Sequence, residues 1–314
     1  MGKRIFITGG FGFIGSAVIQ RLEECGHQTF VFDDLSFGSR QFVDIPDSRF
    51  IRGNILDAGL LESAMVKVRP QWVIHLAAIH FIPYCNEHPF ESANINIAGT
   101  MNVLECCRRI QGLEKVLFAS TAAVYPIFED AIPESLPAAP SDIYGLSKMT
   151  GEELCKKFHA ETGIPTILCR FFNAFGPNET NPHLIPAIQR QVLEGKRTIL
   201  LGNTQPKRDF IHTHDMARAV EMLLNKFDRG VDTFNLGRGI EYSVLEVIAA
   251  FEKALGLRLT IQTDPARMRK SDRLHLLADI SKLSAFTGWQ PAISLEEGIK
   301  TLVHEDGIKS LIHS

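Results

Sequence analysis

The sequence predicts an α/β fold with a doubly wound parallel sheet, and three observations lead to it. A short β-branched run, Arg4–Thr8, leads directly into a glycine-rich turn, and apolar residues at helical spacing follow at 13–25. A second apolar run, at 29–32, ends at the acidic residue Asp33. This order of strand, glycine turn, helix, strand and acid is typical of the first βαβ unit of a Rossmann sheet.

The alternation of strands and helices continues through the first 172 residues. Further apolar runs predict strands at residues 49–52, 72–76, 115–119 and 166–170, and helical spacing predicts helices at 58–68, 94–110 and 144–162. We expect residues 1–172 to form one dinucleotide-binding domain, because this order of elements is typical of such sheets.

The pattern changes after residue 172. A proline-containing loop precedes predicted helices at 185–194, 244–255 and from Leu295, with strands near 234–236 and at 259–262. We expect residues 173–314 to form mainly a smaller C-terminal α/β lobe for the substrate, with part of 209–237 returning to the first domain. The cleft between the lobes would lie at the carboxyl ends of the parallel strands, where ligands bind in such sheets.

Composition and charge narrow the classes of function. The 314 residues are 45% hydrophobic and 22% charged, as in globular enzymes, and the net charge of −3 argues against a nucleic acid partner. No run approaches the roughly 18 apolar residues that span a bilayer, and the N-terminus leads into a strand rather than a signal peptide. The six cysteines include no Cys-x-x-Cys pair, which predicts reduced thiols in a cytoplasmic protein without a membrane partner.

Three glycines predict the phosphate-binding turn of a dinucleotide site. Gly9, Gly12 and Gly15 follow a strand and open a helix, so the backbone can approach a pyrophosphate at the helix N-terminus. Gly10 offers an alternative register that uses the same two later glycines.

Asp33 ends the second strand about 20 residues after Gly12, where a carboxylate accepts hydrogen bonds from the adenosine ribose. The same charge would repel a 2′-phosphate, so NAD is favoured over NADP as the cofactor. Asp34 could share this role, and Asp33 could instead cap only the following turn.

Tyr144 and Lys148 form a Tyr-x-x-x-Lys pair on a predicted helix. Residues four apart lie one turn apart, so the two side chains share a face. A free tyrosine has a pKa of about 10, and we expect the lysine charge to lower this pKa so that the phenol can exchange protons. The alternative is a tyrosine that only packs on the sheet at a helix start.

Nine ordered segments carry a resemblance to a known family. They are TGGFGFIG (8–15), DDL (33–35), GNILD (53–57), HLAA (75–78), NIAGT (96–100), STAAVY (120–125), YGLSK (144–148), RFFN (170–173) and RDFI (208–211). Through them the chain resembles the extended short-chain dehydrogenase/reductase family, in its group of nucleotide-sugar epimerases and dehydratases. The similarity runs nearly from end to end.

The resemblance implies the catalytic and cofactor residues. Tyr144 would be the acid/base, Lys148 would bind the nicotinamide ribose, and Thr121 would share a hydrogen bond with the substrate alcohol. Without the family, Thr121 could simply cap a strand end. The residues implied for NAD are Gly9, Gly12, Phe13, Ile14, Gly15, Asp33, Asp34, Asn54, Ile55, Leu76, Ala77, Ala78, Asn96 and Lys148.

The resemblance also implies how a nucleotide-sugar substrate binds. Asn173 and Arg208 would contact the diphosphate, and His80 would border the sugar. His183 and Leu184 stand where relatives have an Asn-Leu pair. Arg269 and Asp272 match a pair that holds phosphate and ribose, while Tyr144 and Thr121 would face the reacting carbon.

Assembly is a further implication of the resemblance. A homodimer is expected through the helices predicted at 94–110 and 145–162. Five of their apolar residues could serve the interface or equally an ordinary core: Val103, Leu104, Leu146, Leu154 and Phe158.

The residues after Thr121 favour one reaction within the group. Dehydratases carry an Asp-Glu pair there, whereas this chain has Ala122 and Ala123, whose methyl groups cannot protonate a leaving hydroxyl. We therefore predict epimerisation at C4 of a nucleotide-diphosphate hexose, most simply a UDP-sugar, through a transient 4-keto sugar. The alternatives are a UDP-glucuronate-type epimerase or decarboxylase, an NAD(P)H-dependent reductase and a non-enzymatic NAD-binding protein.

A His-x-His pair raises the question of a metal. The spacing of His212 and His214 would place both rings on one side of a strand. No third ligand motif accompanies them in the sequence, so we predict no metal site.

Overall fold

The computed structural model describes residues 2–265 and 273–305. Its strands are β1 (Arg4–Thr8), β2 (Gln28–Asp33), β3 (Phe50–Arg52), β4 (Trp72–His75), β5 (Lys115–Thr121), β6 (Thr166–Phe171), β7 (Asn173–Phe175), β8 (Thr198–Leu201), β9 (Lys207–His212), β10 (Val231–Leu236), β11 (Glu241–Ser243) and β12 (Thr260–Thr263). Its helices are α1 (Phe13–Glu24), α2 (Ala58–Val68), α3 (Ile82–Glu87), α4 (Pro89–Ala93), α5 (Gly99–Arg108), α6 (Ile143–Thr162), α7 (Leu184–Leu193), α8 (Thr213–Lys226), α9 (Val244–Leu255), α10 (Ser281–Thr287) and α11 (Leu295–Glu305).

Seven parallel strands form the central sheet in the order β10-β6-β5-β4-β1-β2-β3. The predicted doubly wound α/β fold is therefore confirmed. One face packs on α1 and α8 through residues such as Val18, Leu22 and Val220. The opposite face packs on α2, α5 and α6 through residues such as Met65 and Phe158. With both faces covered, β5 and β6 are buried along their whole lengths.

The C-terminal part has its own core. Helices α7, α9 and α11 pack together through apolar residues that include Ile188, Phe251 and Ile299. A three-stranded sheet in the order β11-β9-β7 and the parallel pair β12-β8 complete this lobe. Helix α9 begins with a complete capping box, in which Ser243 and Glu246 satisfy each other's backbone N–H groups.

The structure differs from the predicted elements in several places, and the short elements α3, α4, β7, β8, β11 and α10 were not predicted. The single helix predicted at 94–110 is divided by a π-helical turn at Asn94–Ala98, between α4 and α5. Strand β9 and the long helix α8 were not predicted, although α8 buries a full face against the sheet. Within the described residues, no helix is both long and apolar enough to cross a membrane.

The apolar residues proposed for a dimer divide between core and surface. Val103, Leu104 and Phe158 belong to the core beneath α5 and α6, and Leu154 packs against it. Leu146 is 45% exposed, so on this structure it is the member of the group that is available to a partner.

Candidate functional site

A cavity of about 880 Å³ lies at the carboxyl ends of the central strands, between the two lobes. It collects most of the predicted site residues: Gly9, Gly12, Phe13, Ile14, Gly15, Asp33, Asp34, Asn54, Ile55, Leu76, Ala77, Ala78, His80, Thr121, Tyr144, Lys148, Asn173, His183, Leu184 and Arg208. Arg269 and Asp272 lie outside the described residues. Asn96 lies behind the cavity wall.

The glycine-rich turn has the geometry that a pyrophosphate needs. Gly9 has φ +72°, and a Cβ there would lie 2.6 Å from the Ala77 nitrogen. A Cβ at Gly15 would lie 2.4 Å from the Gly9 carbonyl oxygen. Gly12 is the N-cap of α1, and no described side chain caps this end of the helix. The N–H groups of the first turn therefore face the cavity and fit the diphosphate of a dinucleotide.

Asp33 links this turn to the next loop. Its Oδ2 accepts a hydrogen bond from the Phe11 backbone N–H at 3.0 Å, and its Oδ1 accepts one from Leu35 at 2.8 Å. Burial raises the pKa of the Asp33 carboxyl, while these two N–H groups oppose the shift. Each carboxylate oxygen has a second lone pair for a ribose hydroxyl. Asp33 therefore fixes the turn, as the alternative holds, and its contact with a ribose stays a prediction.

Asp34 and Asn54 line the end of the cavity that is predicted to bind the adenosine. Asp34 accepts a hydrogen bond from the Asn54 amide at 2.8 Å. The nearest arginine on the following loop, Arg40, pairs with Asp47 and stacks 5.0 Å from the Phe50 ring. Because these contacts hold its guanidinium group outside the cavity, the negative charges of Asp33 and Asp34 dominate at the adenosine ribose. They favour NAD over NADP.

The phenol predicted to carry the proton lies at the opposite end. Tyr144 sits in the first turn of α6, and its side chain hydrogen-bonds with Thr121 at the end of β5. Burial raises the pKa of Tyr144 above its ordinary value of 10.0, and this hydrogen bond partly opposes the rise. The Tyr144 pKa is therefore raised, not lowered as predicted, because loss of solvent disfavours the phenolate.

Lys148 is on the same helix, one turn further on, as predicted. Its Nζ donates a hydrogen bond to the Ala119 carbonyl at 2.7 Å and lies 4.8 Å from the Phe118 ring centre. Burial lowers the pKa of Lys148 from 10.5 to about 8. The ammonium group is held at the cavity floor beside β5, where it can contact a nicotinamide ribose.

Asn96 does not reach the cavity, which corrects its predicted cofactor contact. Its side chain is 1% exposed and both ends are bonded: Oδ1 accepts from the Ile79 N–H, and Nδ2 donates to the Ile79 carbonyl and to Ser147 Oγ. Ser147 in turn donates to the Tyr144 carbonyl at 2.8 Å. Asn96 thus positions the cavity loop that follows β4 and the start of α6. Asn96 lies in the π-helical turn at Asn94–Ala98, and such turns are frequent at functional sites.

A buried polar network behind β5 was missed from the sequence. Glu152 and Arg170 form a bidentate ion pair, with distances of 2.8 and 2.7 Å. Ser120 donates to Glu152, and Arg170 lies 4.5 Å from the Tyr125 ring centre. Arg170 gave the one signal in the sequence, a charge inside an apolar strand, since such charges are buried only when paired. Glu152 gave none, because Glu153, Lys156 and Lys157 follow it on the same helix.

The C-terminal lobe supplies polar groups to the substrate side. Asn173, at the start of β7, has a buried Oδ1 with no hydrogen-bond partner among the described residues, which suits a ligand donor. Arg208 on β9 donates to the carbonyls of Lys207 and Arg273, so its guanidinium group is held at the cavity wall. Asp209 next to it accepts three backbone N–H groups and fixes the turn after β10.

Four side chains form a cluster in the cavity wall where the loop at 179–183 meets His80. The His80 and Asn181 side chains are hydrogen-bonded at 3.0 Å, and Glu179 lies 3.5 Å from His183 Nδ1. Burial lowers the pKa of His80 to about 4, so this ring is neutral. Glu179 and Asn181 were not predicted, because a loop without periodicity gives no signal for them.

The prediction that His212 and His214 lie on one side of a strand is wrong. His212 ends β9, but its Nδ1 accepts the His214 backbone N–H and caps α8, which begins at Thr213. His214 is exposed on the helix, whereas His212 packs on the Phe175 ring. Across residues 2–265 and 273–305, no group of three or more His, Cys, Asp or Glu side chains could hold a metal ion.

Comparisons with known proteins agree with this geometry. The profile described as the NAD dependent epimerase/dehydratase family matches residues 5–237. A UDP-glucose 4-epimerase of Bacillus subtilis (strain 168) is 31% identical over 323 residues, which cover 93% of this chain and 94% of that protein.

Solved structures of UDP-glucose 4-epimerases are also similar to this chain over nearly its whole length. The UDP-glucose 4-epimerase of Thermus thermophilus, in complex with NAD, superposes with a TM-score of 0.87 at 30% identity, covering 97% of this chain and 99% of that one. The UDP-glucose 4-epimerase of Thermotoga maritima, with UDP-glucose, gives a TM-score of 0.89 at 29% identity, covering 98% and 99%.

Proposed function

Since the chain belongs to the NAD dependent epimerase/dehydratase family, we propose that it interconverts C4 epimers of a nucleotide-diphosphate hexose, with a UDP-sugar as the substrate. One observation carries this proposal. Tyr144, Thr121 and Lys148 line one cavity, which also contains a dinucleotide cradle. The relatives named above are UDP-glucose 4-epimerases, which supports the uridine nucleotide.

NAD is the cofactor, and when bound it supplies a reversible hydride acceptor for the sugar carbon. Tyr144 takes the proton of the C4 hydroxyl and later returns it, while Thr121 holds that oxygen by donating or accepting. Lys148, held on the Ala119 carbonyl at the cavity floor, binds the nicotinamide ribose. The transient 4-keto sugar must rotate within the cavity so that it accepts hydrogen on its other face.

The side chains around Thr121 support epimerisation rather than dehydration. Ala122 and Ala123 line the cavity directly after Thr121. They offer neither an acid for a leaving hydroxyl nor a base for a neighbouring carbon. The chemistry available is then hydride and proton transfer at one alcohol carbon, which is what a 4-epimerase requires.

We assign the two halves of the reaction to the two parts of the chain. Residues 1–172 hold NAD, and residues 173–314 hold mainly the nucleotide sugar, with part of 209–237 returning to the first domain. The pairing of β10 with β6 supports this return. Asn173 and Arg208 contact the diphosphate, and Arg269 and Asp272 hold phosphate and ribose.

Leu276 sets the room beside the sugar. It lines the cavity and packs with the cluster around Ala122 and Phe172. The resemblance implies a tyrosine here in enzymes strict for UDP-galactose, so the smaller leucine leaves space for a larger substituent at C2 or C5. We expect turnover of UDP-N-acetylglucosamine as well as UDP-glucose.

Assembly and location are also proposed. A homodimer through α5 and α6 would cover Leu146 and Met101, which are 45% and 52% exposed. All six cysteines lie in the described residues as free thiols, and five of them are buried, which fits a reducing cytoplasm.

One experiment separates the candidate activities. The purified protein is incubated without added NADH with UDP-glucose, UDP-glucuronate and their N-acetyl counterparts, and products are identified by NMR. Formation of the C4 epimer supports the proposal. Release of carbon dioxide would indicate a decarboxylase, a change in nicotinamide absorbance without an epimer would indicate a reductase, and no product at all would leave an NAD-binding protein.

A further inference from the structure

Helix α6 carries three polar side chains at successive turns: Tyr144, Lys148 and Glu152. Residues four apart lie on one side of a helix, so the three share a face. The proposed mechanism uses Tyr144 and Lys148 but gives no role to Glu152. The Glu152 side chain is 1% exposed, and a carboxylate is kept this far from water only when its partners compensate for the lost hydration.

Strand β5 bonds to this face of α6 at its carboxyl end. Lys148 Nζ donates to the Ala119 carbonyl at 2.7 Å, and Glu152 accepts the hydroxyl of Ser120. Thr121, which the proposed mechanism uses, follows directly at the end of the strand. Two successive residues of β5 therefore bind α6 immediately before the residue that faces the substrate.

The neighbouring strand holds the Glu152 carboxylate in place. Arg170 of β6 is the register partner of Ser120, and its guanidinium group donates to both oxygens of Glu152 at 2.8 and 2.7 Å. A bidentate pair of this kind fixes the orientation of the carboxylate as well as its distance. Glu152 is thus a rigid acceptor, and the Ser120 hydroxyl is the side-chain link between this acceptor and β5.

We propose that Ser120 is a positioning residue for Tyr144 and Lys148, acting through Glu152. This inference rests on the proposed function and adds a residue to it. Ser120 is 2% exposed, and its hydroxyl donates to a buried carboxylate rather than into the cavity. The bond fixes α6 against β5 one turn beyond Lys148. Proton transfer requires Tyr144 and Thr121 to reach the same substrate oxygen, so a small shift of α6 along β5 lowers the rate.

The alternative is that Ser120 only stabilises the domain by satisfying a buried carboxylate. A second arrangement of the same kind in this chain allows a test. On β2, the Thr29 hydroxyl donates to Glu23 of α1 at 2.6 Å, and Glu23 pairs with Arg49 at 2.6 Å. Thr29 is fully buried, and none of these three residues lines the cavity. The hydroxyls of Ser120 and Thr29 thus make the same kind of bond in different places.

The test compares Ser120→Ala with Thr29→Val on the NAD-loaded protein. Each substitution removes one hydroxyl and leaves the glutamate its arginine partner. For Ser120→Ala we expect kcat for epimerisation of UDP-glucose to fall about 10-fold, because misplaced reacting groups slow the chemical step. Its KM should stay within about twofold of wild type, since substrate binding is not the interaction removed. For Thr29→Val, both constants should stay within about twofold.

Urea denaturation measures the stability that each variant loses, so that a loss of folded protein is not mistaken for a slower reaction. An unchanged kcat in Ser120→Ala, or an equal fall of kcat in both variants, would overturn the proposal. A rise in KM at unchanged kcat would do the same, because it would place Ser120 in substrate binding.

Amide hydrogen exchange gives a second readout that does not depend on activity. In Ser120→Ala, the first two turns of α6, residues 143–150, should exchange about 10-fold faster, while α2 and α5 on the same face of the sheet keep the wild-type rates. Equal acceleration in all three helices would indicate a general loss of stability and contradict the proposal. If wild type forms no epimer, the proposed function fails, whereas hydrogen exchange still tests whether Ser120 positions α6.

Discussion

Glu152 on α6 and Arg170 on β6 form a buried bidentate ion pair directly behind the strand that carries Thr121. Their side chains are 1% and 7% exposed. The pair holds the helix of Tyr144 and Lys148 against the sheet, since Ser120 on β5 also donates to Glu152. The same buried polar network therefore contacts both α6, which carries Tyr144 and Lys148, and β5, which carries Thr121.

Removing the charge of Glu152 should destabilise the whole domain. Glu152→Gln leaves the Arg170 guanidinium group buried without its counter-ion, which costs about 3–5 kcal/mol of unfolding free energy. Urea denaturation at neutral pH measures the change. Glu161→Gln is the matched control, because Glu161 pairs with Arg108 at the surface and should have little effect. Equal stability of the two variants would contradict this account.

Tyr144→Phe should abolish most turnover without loss of the cofactor. The variant keeps the ring that packs in the cavity but lacks the hydroxyl that exchanges a proton. We expect kcat for epimerisation to fall by about 10²- to 10⁴-fold. NMR of the sugar products measures the rate, and absorbance of the purified protein measures the NAD content. Turnover as fast as in wild type would exclude Tyr144 as the acid/base.

Asp33→Asn should weaken the hold on NAD. The amide retains one acceptor oxygen but loses the charge that attracts two ribose hydroxyls, and its NH2 group faces a backbone N–H. Loss of a hydrogen bond to a charged group costs about 1.5–3 kcal/mol, or roughly 10- to 100-fold in Kd for NAD. Fluorescence titration of cofactor-stripped protein gives the Kd. Asp130→Asn, at an exposed position, should leave the Kd unchanged.

His212 should make the fold sensitive to acid. Burial lowers the pKa of His212 to about 4, against 6.5 for an unburied histidine. The unfolded chain therefore binds more protons between these pH values. The stabilisation that depends on a neutral His212 is complete above pH 6.5 and is lost as pH falls toward 4, to a total of about 3 kcal/mol.

His212→Asn should reduce this acid sensitivity. Asparagine can cap α8 by accepting the His214 N–H, and it removes the titrating ring. Between pH 7 and pH 5 the variant should lose about 2 kcal/mol less unfolding free energy than wild type, measured by urea denaturation at both pH values. His214→Asn is the control, since His214 is exposed. An equal loss in wild type and His212→Asn would refute the linkage.

Local patterns predicted the parts of the fold in which neighbours along the chain decide the structure. Strand β1 and helices α2 and α9 were predicted with their observed limits, because their apolar spacing and caps are contained within each segment. The positions of Gly9 and Asp33 were likewise predicted, since a strand, a tight turn and a helix leave few arrangements. Helix α8 was missed because the His-x-His spacing was interpreted as a strand, although His212 caps a helix there.

The sequence by itself determined the class of fold, the dinucleotide turn and the pairing of Tyr144 with Lys148, because these features depend on residues close together in the chain. Tertiary structure alone decided that Asn96 acts behind the cavity wall, that burial raises the Tyr144 pKa, and that Ser120 and Arg170 meet at Glu152. Those properties arise from solvent exclusion and from contacts between segments far apart in the chain, which spacing along the sequence does not encode.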